Sequence, residues 1–168
     1  LNYINNLGIE EFKYVFGTHY HEDHIGTMPT IIRNYKVDRF FMPDTPSNNK
    51  CYELTLKELN KKNITYETPN IDDEYKLNDT TIKVIHIAKD IEEINDTSIV
   101  LKVAYKNNSF LLTGDATKNV ELELLDKDIK SDLLKVSHHG SNDASSAQFL
   151  TKVKPSYAVI SVGKDNEY

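Results

Sequence analysis

The sequence has few of the residues that cross-link or anchor a small protein. Among 168 residues, cysteine occurs once and tryptophan not at all. Cys51 therefore has no partner for an internal disulfide, and no Cys-x-x-Cys pair offers a thiolate metal site. No apolar run approaches the ~18 residues of a membrane span, so we expect the chain to be soluble. The formal net charge of −6 argues against a domain that holds nucleic acid by bulk positive charge.

Short apolar runs alternate with amphipathic segments, which indicates an α/β chain with a β-rich centre. We predict strands over Lys13–Thr18, Val37–Met42, Ile64–Glu67, Glu74–Leu77, Thr81–Ile87, Thr97–Tyr105, Ser109–Thr113, Leu133–Ser137 and Tyr157–Val162. We predict helices over Thr30–Tyr35, around Tyr52, Leu56 and Leu59 after a cap at Ser47 or Asn48, over Lys118–Leu125 and over Ser146–Val153. The asparagines of the turn Lys106–Ser109 are expected to take the positive φ of a hairpin.

Histidines are concentrated at two places in the sequence. Three lie within the segment His19-Tyr20-His21-Glu22-Asp23-His24, directly after the first predicted strand. Four metal-ligand side chains in six residues are too many for one open tetrahedral zinc site, and they are enough to begin two neighbouring sites. The alternative interpretation, a solvated polar loop, is weaker because an H-x-H-x-D-H pattern seldom arises by chance.

Two later strands also end in candidate ligands. Asp115 follows an apolar strand and Gly114, where the alternative role is a helix N-cap. His138 and His139 follow the next strand and precede a glycine. Adjacent side chains point in different directions, so we expect one of the two to bind metal and the other to contact substrate or move a proton. His86 lies inside a strand pattern and is expected to be structural.

These motifs resemble the metallo-β-lactamase superfamily, whose hallmark is H-x-H-x-D-H. Within it, three segments are similar to the hydrolase domain of ComEC-type DNA-uptake proteins: Asn95–Ser98, Leu112–Asp115 and Val136–Ser141. The closing segment Ile160–Tyr168 also fits that branch. The resemblance implies a four-layer αββα sandwich and one hydrolase domain over residues 1–168, lacking its first strands and its C-terminal end.

The resemblance further implies a site with two divalent metals, zinc being favoured over manganese. The first ion would be held by His19 and His21, and the second by Asp23, His24 and a histidine of the last pair. We prefer His139 for that ligand, with Asp115 bridging both ions. The superfamily's usual intermediate histidine is absent, and Asn95 and Asp96 occupy its region. The first ion would then be under-coordinated, or Asp96, His86 or water would complete its coordination.

The resemblance implies hydrolysis by a hydroxide held between the two metals. Asp23 would orient or deprotonate the water, and His138 would act as general acid or phosphate contact. Ser141 and Lys164 are expected to be ordinary surface residues. The favoured substrates are phosphate esters or phosphodiesters, including single-stranded nucleic acid. The alternatives are acyl or lactone hydrolysis on the same metals and a non-catalytic metal-binding module. The location is left open between the bacterial cytoplasm and the cell surface, where a membrane domain could be attached.

Overall fold

The computed structural model describes residues 1–88 and 93–164, and its contacts divide them into two compact units. The first unit comprises Leu1–Pro69 and the second begins at Asn70. In the first unit the helices are α1 (Asn2–Asn6), α2 (Glu22–Ile25), α3 (Met28–Asn34) and α4 (Lys50–Lys61), and the strands are β1 (Glu11–Phe16), β2 (Lys36–Phe41) and β3 (Tyr66–Glu67). In the second unit the strands are β4 (Glu74–Leu77), β5 (Thr80–His86), β6 (Val100–Tyr105), β7 (Asn108–Leu112), β8 (Leu133–Lys135) and β9 (Tyr157–Val159), and the helices are α5 (Lys118–Leu124) and α6 (Ala147–Val153). Short 3₁₀ turns cover Ile94–Thr97 and Ser137–Gly140.

The first unit is a parallel sheet in the order β1-β2-β3. Parallel neighbours need a crossover connection, which α3 supplies between β1 and β2 and α4 between β2 and β3. Pro29 lies in the first turn of α3, where its missing N–H leaves no helical hydrogen bond unmade. The core of this unit is apolar and includes Val15, Ile25, Ile32, Phe40 and Leu59.

Helix α4 follows the predicted periodicity but begins at a different cap. Leu59 is buried, and Tyr52 and Leu56 pack partly buried against the same core, as the sequence predicts. The cap is Asn49, whose side chain accepts a hydrogen bond from the Cys51 N–H at 2.7 Å. The prediction of Ser47 or Asn48 is therefore wrong by two residues or one, because sequence alone does not fix which of several neighbouring cap formers begins the helix.

The second unit is a six-stranded mixed sheet in the order β4-β5-β6-β7-β8-β9. Strands β4 to β7 are antiparallel neighbours, whereas β7, β8 and β9 run parallel to one another. Helices α5 and α6 connect the parallel strands and bury Leu124 and Phe149 in the core. The parallel arrangement brings the carboxyl ends of β7 and β8 to the same edge of the sheet, where each strand is followed by candidate ligands.

Three local expectations need correction. In the β6–β7 hairpin the positive φ, 52°, falls on Lys106 rather than on an asparagine. Strand β8 ends at Lys135, and Ser137 already belongs to the following 3₁₀ turn. Strand β9 ends at Val159, three residues earlier than predicted. Residues 165–168 of the predicted closing motif lie outside the described residues.

Candidate metal centre

The H-x-H-x-D-H segment lies at the carboxyl end of β1 and runs into the short helix α2. His21 is the N-cap of α2, and Asp23 and His24 lie within the helix. The helix ends at Gly26, whose N–H donates to the carbonyl of Glu22 at 2.7 Å. A Cβ at position 26 would lie 2.4 Å from that same oxygen, so glycine is required for this tight turn. The short helix and its cap therefore fix the backbone of three of the predicted ligands, His21, Asp23 and His24.

Within the first unit these four side chains form two pairs of ligand atoms. His19 Nε2 lies 3.2 Å from His21 Nδ1, and Asp23 Oδ2 lies 3.5 Å from His24 Nε2. His19 is fully buried, whereas the Asp23 side chain is 57% exposed. Nitrogen and oxygen donors of these types are suitable ligands for zinc or manganese.

Thr18 supports both pairs. Its hydroxyl oxygen lies 3.2 Å from His19 Nδ1 and 3.4 Å from His24 Nδ1. A hydroxyl accepting from both rings would leave both Nε2 atoms unprotonated and able to bind metal. From the sequence, Thr18 was placed only at the end of the first predicted strand and was given no role. Its position directly before the first histidine was the available signal.

In the second unit, Asp115 follows β7 and is 2% exposed. The preceding Gly114 has φ 56°, in the left-handed region that favours glycine. The cap of α5 is Thr117, whose side chain accepts from the N–H of Asn119. Asp115 is therefore not the helix N-cap.

The two adjacent histidines of the second unit contact different groups. Both have left-handed backbones, with φ 45° at His138 and 55° at His139. The Nδ1 atom of His138 lies 2.9 Å from Asp143 Oδ1. The Nδ1 atom of His139 lies 2.7 Å from the carbonyl oxygen of Ser161, and its Nε2 lies 3.3 Å from Asp115 Oδ2. The structure thus pairs Asp115 with His139. Sequence reasoning missed Asp143, for which no motif gave a signal.

The hydrogen bond to Ser161 decides the tautomer of His139. A carbonyl oxygen can only accept, so Nδ1 of the ring carries a proton. Nε2 of a neutral ring then turns a lone pair toward the Asp115 carboxylate, which is repulsive unless a proton or a cation lies between them. Metal-binding histidines commonly donate their other N–H to a backbone carbonyl in this way. The pair therefore fits a metal ion.

The other residues considered as ligands have different surroundings. His86 ends β5, is 2% exposed, and its ring nitrogens have no hydrogen-bond partner within the described residues. Asp96 is 4% exposed, and its Oδ1 accepts from the N–H and hydroxyl of Thr117. Ser141 was expected at the surface, but it is 8% exposed and its hydroxyl accepts from the N–H of Asp143. Lys164 is exposed, as predicted.

Comparison with known proteins identifies the family. The family model of the metallo-β-lactamase superfamily matches residues 2–164. The chain belongs to the metallo-β-lactamase superfamily. The predicted superfamily and the predicted α/β fold class are confirmed. Membership of the superfamily also supports the prediction that the chain is a metal-dependent hydrolase.

Relatives of this superfamily member include bacterial competence proteins. It is 30% identical over 169 residues to "ComE operon protein 3" of Bacillus subtilis (strain 168), an alignment covering 99% of this chain and 22% of that protein. It is 41% identical over 83 residues to "Competence protein ComA" of Neisseria gonorrhoeae, covering 48% of this chain and 12% of that protein. The chain therefore spans less than a quarter of either relative. The predicted similarity to the ComEC-type branch is confirmed.

A solved structure supports the fold. Human tRNase Z, short form, superposes with a TM-score of 0.52 over 87% of this chain and 73% of that chain, at 12% identity. At this identity the likeness concerns the fold alone. No helix among residues 1–88 and 93–164 has the length and apolar character needed to cross a membrane.

Proposed function

We propose that this chain is a binuclear metallohydrolase that cleaves phosphate esters or phosphodiesters, single-stranded nucleic acid among them. The observation that carries the proposal is the His139–Asp115 pair, in which Nε2 and a carboxylate oxygen lie 3.3 Å apart and are donor types that zinc and manganese bind. The His/Asp pairs of the first unit have the same donor chemistry. The similarity to the ComEC-type branch of DNA-uptake proteins favours a phosphodiester substrate over an acyl substrate.

The proposed ligand set is the one implied by superfamily membership. His19 and His21 would hold the first ion, and Asp23, His24 and His139 would hold the second. Asp115 would be a ligand of both. This assignment requires the two units to act as one hydrolase domain over residues 1–168, which is itself part of the proposal.

When bound, the two ions would lower the pKa of a coordinated water toward about 7 and offset charge on the phosphate oxygens. Asp23, whose side chain is largely exposed, orients the attacking water and accepts its proton. His138 donates a hydrogen bond or a proton to the leaving oxygen. The Asp143 carboxylate, 2.9 Å from its Nδ1, holds that ring in one orientation. These roles belong to side chains on two different units of the chain.

The charge of the protein is compatible with this substrate. Two divalent ions would reduce the formal charge of −6 to about −2, and they would place the positive charge where a phosphate has to bind. The proposal is thus a local anion site with no broad basic surface. Zinc is the favoured metal because imidazole supplies most of the donors, whereas manganese would accept the same set.

The test combines metal analysis with a substrate panel. Purified protein is assayed with bis-nitrophenyl phosphate, a lactone and single-stranded DNA, with metal content measured in parallel. Asp23→Ala and Asp115→Ala are expected to lower phosphodiesterase activity at least about a hundredfold. Loss of a residue that only supports a metal ligand costs up to about a hundredfold, and loss of a ligand itself should cost at least as much. Asp126→Ala is the matched control, because Asp126 is exposed and lies outside the proposed ligand set.

The possible outcomes distinguish the proposed function from the alternative functions. Turnover of the lactone alone would establish an acyl hydrolase. Metal binding without any turnover would establish a binding module. Unchanged phosphodiesterase activity in Asp115→Ala would show that the ligand assignment is wrong.

A further inference from the structure

The short loop that carries Asp115 is hydrogen-bonded to buried side chains on one flank. The N–H of Asp115 donates to the hydroxyl oxygen of Ser98 at 3.0 Å. Two residues later, the N–H and hydroxyl of Thr117 both donate to Oδ1 of Asp96, at 3.1 and 2.6 Å. Ser98 is fully buried and Asp96 is 4% exposed, so no bulk water competes for these bonds.

The same loop is bonded to a serine on its other flank. The hydroxyl of Ser137 donates to the carbonyl of Ala116 at 2.6 Å, and the N–H of His138 donates to the carbonyl of Gly114 at 3.3 Å. Ser137 is 1% exposed and directly precedes the histidine pair. The backbone of the Asp115 loop and the backbone that carries His139 are therefore tied to each other.

We infer that Asp96, Ser98 and Ser137 form a clamp that positions Asp115 against His139 as metal ligands. This inference rests on the proposed function, because it assigns the clamp to the metal ions of that site. Ser98 accepts a hydrogen bond from the main chain of Asp115 itself, so it holds the backbone that carries the ligand carboxylate. Ser137 fixes the distance between the two ligand segments.

The inference gives Asp96 a role other than ligand. Its Oδ1 already accepts from two donors of Thr117, and both bonds stabilise the turn that follows Asp115. An asparagine at this position keeps an acceptor oxygen that can receive both donors, whereas an alanine has none. A residue that supports the loop should therefore tolerate Asp96→Asn, and a direct metal ligand should not.

The experiment measures zinc and manganese affinity of the whole 168-residue chain, together with the visible absorption of its Co²⁺ form. Asp96→Ala, Ser98→Ala and Ser137→Ala are expected to weaken metal binding about 10–100-fold, which is the range known for residues that support metal ligands. They are also expected to change the Co²⁺ spectrum. Asp96→Asn is expected to retain both properties. Asp96→Ala and Ser98→Ala act on one flank of the loop and Ser137→Ala on the other, so the test survives if one of them does not fold.

Ser131→Ala is the matched control. Ser131 is 3% exposed and its hydroxyl also donates to a backbone carbonyl, that of Ile129, away from the Asp115 loop. We expect this variant to lose stability without changing metal affinity or the Co²⁺ spectrum. Thermal unfolding of the metal-free proteins shows how much stability each variant loses.

Three results would overturn the inference, and they are distinguishable. Wild-type affinity and spectrum in folded Ser98→Ala and Ser137→Ala would show that the clamp does not position the ligands. Equal losses in Asp96→Asn and Asp96→Ala would make Asp96 a ligand. Failure of the wild-type chain to bind any divalent metal would instead remove the proposed function on which the inference rests.

Discussion

The Nε2 atom of His139 lies 3.3 Å from Oδ2 of Asp115, and the opposite ring nitrogen donates to a backbone carbonyl. The neighbouring His138 instead contacts Asp143. The two histidines are adjacent in the sequence, and both have left-handed backbones. Their side chains nevertheless lie in different environments. This difference predicts different consequences for the two histidines.

Replacing His139 is expected to affect metal binding far more than replacing His138. His139→Ala removes a proposed ligand and should weaken binding of the second ion at least about a hundredfold. His138→Ala should keep the metal and lose activity, because its proposed role is proton donation. Equilibrium dialysis with metal analysis checks both variants. Full metal loss in His138→Ala with retention in His139→Ala would reverse the assignment.

Metal removal is expected to destabilise the protein reversibly. A ligand that binds only the native state stabilises it by about 2.7 kcal/mol when present at a hundred times its Kd. Chelation should therefore lower the Tm, and added zinc should restore it. In Asp115→Ala the zinc-dependent rise should be much smaller. The measurement is thermal unfolding followed by circular dichroism, and an equal rise in both proteins would count against Asp115 as a ligand.

His86 is expected to make the stability of the second unit depend on pH. Burial lowers the pKa of His86 below 6.5, and Glu123, with Oε2 3.6 Å from Nδ1, only partly opposes this effect. Below pH 6.5 the unfolded chain therefore binds a proton that the native protein does not, and stability falls as the pH falls. Above that value the contribution of His86 is constant.

The variant His86→Leu isolates this effect. It should flatten the decline in unfolding free energy below pH 6.5 and leave a protein at least as stable as wild type at neutral pH. The reason is that it removes two buried ring nitrogens that have no hydrogen-bond partner within the described residues. Urea unfolding at several pH values provides the measurement. An unchanged pH profile would show that His86 titrates alike in both states.

Glu58 is expected to make the first unit sensitive to acid. Hydrogen bonds from Lys61 and Arg33 lower its pKa from 4.5 to about 2. Its stabilising contribution is therefore complete above pH 4.5 and is lost as the pH falls toward about 2. Glu58→Gln should give a shallower loss of stability over that range, measured by acid unfolding. Arg33→Gln, which removes one of the two partners, should give an intermediate slope, and identical slopes in all three proteins would contradict the prediction.

Much of the fold could be predicted because its signals are local. The apolar run before His19 and the spacing of Tyr52, Leu56 and Leu59 indicated a strand and a helix that the structure contains. Boundaries such as Asn49 at the start of α4 were missed, since several neighbouring residues could cap the same helix. The burial of Ser141, which is 8% exposed, was missed because no local pattern of residues indicated it.

The sequence by itself determined the superfamily and the identity of the candidate ligands. Ligand chemistry is a property of the residue types, and their places at the ends of apolar strands are visible as a pattern along the chain. Tertiary structure decided how those residues are used. Asp115 faces His139, and Asp96 bonds to Thr117, because hydrogen bonds to Ser98 and Ser161 and from Ser137 join segments that lie far apart in the sequence. Such contacts follow from sheet order and backbone conformation, which no local pattern of residues specifies.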